Sequence, residues 1–153
     1  PRWRLVLMSV TLNDLFINKI NQGKQTSFGA IMRSHKDLIV WQKSMTLVRR
    51  LYEVTKAFPQ EEIFGLTSQM RRAAVSIPSN IAEGYGRIYN KERINFLSIA
   101  LGSASELETQ LMISVDLGFI NDTDNVELSS LNNEVILMLS SLIKGLREGK
   151  YTC

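Results

Sequence analysis

The stretch Leu66–Arg87, LTSQMRRAAVSIPSNIAEGYGR, determines how this chain folds. Leu66, Met70, Ala73, Ala74, Ile77, Ile81 and Ala82 recur at three- and four-residue spacing, which gives a helix one apolar side. Pro78 sits inside that pattern. It lacks a backbone donor and its ring presses on the preceding turn, so a kink is expected near Ala74–Pro78. Gly84 and Gly86 read as the stop. Asn80 and Glu83 are polar residues inside the periodic segment, and Arg71 and Arg72 are adjacent cations.

On either side of this segment, three others carry the same period. Ser34 or Asp37 can accept the orphan N–H groups of a first helix, whose stripe is Leu38, Trp41, Met45, Val48, Leu51 and Tyr52. It should end near Phe58, because Pro59 disfavours helical geometry at the residue before it. A third helix starts near Asn90, carries Phe96, Leu97, Ala100, Leu101, Ala104, Leu107, Leu111 and Val115, and closes at Gly118. The small run Gly102-Ser103-Ala104-Ser105 reads as a tight crossing point. Asp124 and Glu127 are spaced as a capping box for a fourth helix bearing Leu128, Leu131, Val135, Met138, Leu139, Leu142, Ile143 and Leu146. Long helices joined by short loops pack antiparallel. The expected fold is all-α: an up-down-up-down antiparallel four-helix bundle with a kinked second helix, over residues 32–150.

The chain has 153 residues, 44% of them apolar, which suits one domain with a true core. Residues 1–31 open with basic residues beside the short apolar run Leu5–Met8, as a secretory leader does. Asn13 and Asp14 interrupt any longer apolar run, and no small-residue cleavage site appears. We read residues 1–31 as a poorly ordered extension outside the core. The single cysteine, Cys153, forms no internal disulfide, so a cytoplasmic location is expected. No run approaches the roughly 18 apolar residues of a membrane span.

Net charge is only +3, but it is unevenly spread. Residues 33–93 hold 11 Lys/Arg against 6 Asp/Glu, whereas residues 94–153 hold 3 against 8. A basic surface for nucleic acid or an acidic partner is one consequence. Mutual attraction of the halves, within the fold or between subunits, is the other.

Arg71, Arg72, Arg87, Lys91 and Arg93 are the candidate phosphate contacts, since the guanidinium fork matches phosphate geometry. Tyr85 and Tyr89 could stack on bases. The competing reading pairs Arg71 or Arg72 with a carboxylate such as Glu83 or Glu106. Gln69, Ser76, Asn80, Glu83, Ser103 and Glu106 form a candidate polar network around the Pro78 turn, serving to satisfy backbone groups that the proline frees. A metal-dependent hydrolase built on Glu83 and Glu106 is the enzymatic alternative. It lacks the Glu-x-x-His ligands of a di-metal bundle, and the chain's one histidine, His35, lies at the edge of the core. No Gly-rich phosphate loop or nucleophile triad is present, so neither metal nor cofactor is expected. Trp41 reads as a core or subunit contact.

Together with Asp37–Trp41, Phe58-Pro59, Gly65–Gln69, Arg71–Ala73 and Leu101–Leu107, the segment SIPSNIAEG, Ser76–Gly84, resembles the 23S rRNA intervening-sequence proteins over about residues 35–147. The resemblance implies a bacterial four-helix bundle assembled as a homopentamer, with no established catalytic activity. It also implies kinship with the accessory variability proteins of diversity-generating retroelements, basic pentamers that bind nucleic acid and a reverse transcriptase. From residues and resemblance together, we expect a non-enzymatic homo-oligomer that binds structured RNA or DNA through a basic surface. The alternative is a protein-interaction scaffold for a mobile-element or RNA-processing partner, without direct nucleic-acid contact.

Overall fold

The computed structural model describes residues 34–150; the extension expected over residues 1–31 lies outside them. Four helices account for most of the described chain: α1 (Ile39–Val54), α2 (Leu66–Tyr85), α3 (Asn90–Asp116) and α4 (Asp122–Arg147). Short 3-10 turns at His35–Asp37, Thr55–Ala57 and Gln60–Glu62 fill the connections, and no strand occurs among the described residues.

Contacts across the bundle fix its antiparallel order. Tyr52 and Thr55 of the α1 end meet Arg71 of α2, while His35, before α1, meets Tyr85 at the other end of α2. Ser76 and Ser103 face each other across α2 and α3, and the Ser114 hydroxyl donates to the Met70 sulfur. Asn132 of α4 donates to the Ala104 carbonyl of α3 at 2.9 Å. Arg50 near the end of α1 reaches Asp124 and Glu127 at the start of α4. The interior is lined by Leu47, Leu51, Met70, Ile77, Ile81, Leu107, Leu111, Leu128, Val135 and Leu139, all inaccessible or nearly so. Burying each such leucine or isoleucine contributes about 1.5–3 kcal/mol, the main force holding the helices together.

The helix ends depart from the expected caps. Ser34 and Asp37 do form a capping box, but around the 3-10 turn; extended Leu38 separates it from α1, which starts without a side-chain cap. Asn90 is the first residue of α3 rather than its cap. On α4 the cap is Asn121, which accepts from the Asp124 N–H at 2.9 Å and donates back to the Asp124 carboxylate at 2.8 Å. The expected Asp124–Glu127 box therefore sits one turn too late, and Glu127 is left to bind Arg50. Phe58 is extended before Pro59, as the proline rule demands.

Pro78 lies within α2, which continues on both sides of it. The neighbouring carbonyls gain side-chain donors: Ser79 Oγ bonds the Val75 carbonyl at 2.8 Å, and Asn80 Nδ2 bonds the Ser76 carbonyl at 2.8 Å. Gly84 does not stop the helix, contrary to the expectation from its sequence position. It is buried, and a Cβ there would stand 3.1 Å from the Phe96 Cβ and 3.3 Å from the Arg93 carbonyl. Its lack of a side chain brings α2 and α3 together. The expected crossing at Gly102–Ser105 is only half realised: Ala104 is buried and Ser103 meets Ser76, but Gly102 and Ser105 are exposed and nothing approaches Gly102. Gly118 and Gly149 do adopt the left-handed conformation (φ 71° and 68°) and close α3 and α4. In each, the next N–H turns back to a carbonyl five residues earlier.

Candidate nucleic-acid interface

The five candidate cations fall into two groups at opposite ends of α2. Helix rise from Arg71 to Tyr85, the last residue of α2, makes about 21 Å, and Arg87 lies beyond that end, so the groups form separate sites. Their environments also differ.

At the carboxyl end, Arg87 pairs with Glu83 one turn earlier and lies 4.7 Å over the Phe96 ring. Arg93 donates to the Arg87 carbonyl at 2.8 Å, tying the α2–α3 connection. Lys91 is exposed on the first turn of α3. Of the two tyrosines expected to stack, Tyr89 is 70% exposed and Tyr85 lies against His35, their ring centres 6.5 Å apart. This end is a closed set of local contacts, with Tyr89 and Lys91 projecting from it.

At the amino end, Arg71 is half-buried. Its Nε donates to the Thr55 hydroxyl at 2.9 Å and its guanidinium lies 4.7 Å over the Tyr52 ring. Arg72 is exposed and donates to the Gln69 side chain. Among the described residues, neither arginine has a carboxylate within 4.0 Å, although Lys43, Arg50 and Arg87 all do. The pairing with Glu83 or Glu106 weighed from the sequence does not occur: Glu83 holds Arg87, and Glu106 accepts from Gln110.

These two arginines line an open groove of about 560 Å³ together with Tyr52, Ile63, Phe64, Thr67, Ser68, Val75 and Ser76. Phe64 is 94% exposed on the connection before α2. Thr67 is buried on the first turn of α2, and its hydroxyl has no hydrogen-bond partner among the described residues. Glu62 accepts from the Leu66 N–H at 2.9 Å and occupies part of the helix start. Nothing in the sequence singles out Phe64 or Thr67, because neither breaks a periodic pattern. Phe64 is legible only as an apolar residue placed where no helix can bury it.

The candidate polar network is brought together in part. Ser76 and Ser103 share a 2.8 Å hydrogen bond, and Asn80 Nδ2 reaches Ser76 Oγ at 3.0 Å. Gln69, Glu83 and Glu106 lie apart from this trio, each exposed and bonded to a residue on its own helix or just beyond its end. No three His, Cys, Asp or Glu side chains among the described residues are grouped so as to hold a metal ion. A different ionic cluster, not anticipated from the sequence, ties α1 to α4. Arg50 meets Glu53, Asp124 and Glu127 at 2.8–3.0 Å, and the Arg50 hydrogen bond holds the Glu127 carboxyl below its usual range. Here a cation is fully neutralised. Trp41 is half-buried against the core, 5.3 Å from the His35 ring. Among the described residues, no helix is long and apolar enough to cross a membrane.

Comparisons with known proteins agree with this architecture. The family model described as 23S rRNA-intervening sequence protein matches residues 36–141. A solved structure from Bacteroides thetaiotaomicron, a protein of unknown function from the S23 ribosomal protein family, is similar with a TM-score of 0.65 and 27% identity. The likeness covers 69% of this chain and 99% of that one. No match is found among curated proteins. With the match spanning more than half of the chain, the chain belongs to the 23S rRNA-intervening sequence protein family.

Proposed function

We propose that the protein is a non-enzymatic, homo-oligomeric bundle that binds structured RNA or DNA, with the groove at the amino end of α2 as the contact. One observation carries this reading: Arg71 is half-buried beside Arg72, and neither has a carboxylate partner among the described residues. A partly desolvated guanidinium without a counterion is costly, and a phosphate is the anion its fork fits. Met112, Leu117 and Val126, exposed around the α3–α4 turn, supply apolar surface for contact between subunits. The same surface favours the second reading, a scaffold for a protein partner.

Fluorescence anisotropy with a labelled RNA hairpin and a labelled DNA duplex tests the proposal. Affinity should fall steeply as salt rises, because bound phosphates release counterions. The double charge reversal Arg71→Glu/Arg72→Glu should weaken it further. Undetectable binding at low ionic strength, or affinity indifferent to both salt and charge reversal, sinks the reading.

A further inference from the structure

The groove holds more than cations, and its remaining parts narrow the kind of nucleic acid it fits. Phe64 is 94% exposed, an unusual cost for a large aromatic ring on a protein surface. It lines the groove whose wall carries Arg71 and Arg72. Tyr52, in the same lining, is 39% exposed and already carries the Arg71 guanidinium. Ser68, half-buried in the same lining, adds a hydroxyl. A duplex presents its phosphates and hides its base faces, so it would meet the arginines and leave Phe64 in water. An unpaired strand presents both.

Resting on the nucleic-acid reading above, we infer that this groove takes an unpaired segment of RNA, with a base stacked on Phe64 and its phosphates on Arg71 and Arg72. Base–aromatic stacking tolerates any sequence because every base has a π face. The volume of about 560 Å³ is sufficient for a nucleotide rather than a whole helix. RNA is favoured over DNA by the hydroxyls of the lining. A ribose 2′-hydroxyl both donates and accepts, and the half-buried Ser68 hydroxyl of the lining is a partner for it.

The test compares a fluorescein-labelled unstructured RNA of about 12 nucleotides, the DNA strand of the same sequence, and the blunt RNA duplex. Each is titrated against the wild-type chain, Phe64→Leu, Phe64→Trp and Arg71→Glu/Arg72→Glu. Phe64 is so exposed that Phe64→Leu should leave the melting temperature unchanged. The single RNA strand should bind most tightly. Phe64→Leu should lose about tenfold on that strand and nothing on the duplex, and Phe64→Trp should retain the wild-type affinity. If the duplex binds as tightly and Phe64→Leu changes nothing while charge reversal still weakens binding, the stacking site is overturned and the nucleic-acid reading stands. A DNA strand held as tightly as the RNA overturns the assignment to RNA. A Phe64→Leu protein whose molar mass by light scattering falls would assign the ring to a subunit contact instead. If no nucleic acid binds at any salt, both inferences fall together.

Discussion

At its carboxyl end α2 holds its two arginines in local contacts and leaves only Lys91 projecting: Glu83 and the Phe96 ring hold Arg87, and Arg93 reaches back to the Arg87 carbonyl. At its amino end the same helix leaves Arg71 and Arg72 to a hydroxyl, a tyrosine ring and a glutamine amide, beside an exposed phenylalanine. The residue types are alike, and sequence proximity alone would rank the two groups equally. What separates them is the anion supply within the fold. A guanidinium already neutralised gains little from a phosphate, because binding must first displace its carboxylate. One without a carboxylate gains the whole interaction. The count of basic residues therefore overstates the binding surface, and the local pairing corrects it.

Several substitutions put that contrast at risk. The largest effect should come from Arg71→Glu/Arg72→Glu. Each charge-assisted contact is worth about 1.5–3 kcal/mol, so the pair should cost at least about a hundredfold in affinity for RNA at low salt. Arg72→Ala alone removes only an exposed side chain bonded to Gln69, so its unfolding free energy should stay within about 0.5 kcal/mol of wild type while binding weakens. A loss of stability as large as the loss of binding would show that Arg72 serves the fold.

A second variant probes the polar trio between the two ends. Asn80→Ala deletes donors to the Ser76 carbonyl and hydroxyl. It should lower stability by about 1 kcal/mol in urea denaturation and leave RNA affinity unchanged. Reduced affinity with normal stability would reassign the trio to binding.

The Arg50 cluster supplies a neutralised reference whose contribution depends on pH. The hydrogen bond from Arg50 lowers the folded-state pKa of Glu127 below its ordinary 4.5. Its contribution to stability is therefore present above about pH 4.5 and is lost as pH falls through the lower folded value. Urea midpoints measured on the acid side should decline less steeply for Glu127→Gln than for wild type. Parallel declines would show that the cluster adds nothing in solution. The smallest effect on stability is expected from Glu83→Gln, an exposed pair worth under about 0.5 kcal/mol. It should nonetheless open the closed end, steepening the salt dependence of RNA binding by up to about one phosphate contact.

Much of the fold is legible in the chain because four amphipathic segments keep their periodicity. Pro59 holding Phe58 extended after α1, and Gly118 closing α3, obey backbone rules that act over two or three residues. Two of the misplacements share one cause: the deciding partner lies on another helix. Gly84 looks like a stop until Phe96 and the Arg93 carbonyl are brought against it. Glu127 looks like a capping residue until Arg50, 77 positions earlier, claims it. Of the candidate site, Arg71 and Arg72 are identifiable as cations, but that neither meets a carboxylate among the described residues is a property of packing. Phe64 escapes notice because an exposed aromatic on a connection breaks no pattern.

If only the amino end of α2 gives cations to phosphate, the two ends must respond differently to salt. The quantity to measure is the slope of log affinity against log salt for a single-stranded RNA, side by side for wild type, Arg71→Ala/Arg72→Ala and Arg87→Ala. The slope should become shallower by about 1.4 for the first variant, at about 0.7 per single-strand phosphate, and stay unchanged for the second. Equal reductions in both, or a reduction confined to Arg87→Ala, would contradict the assignment.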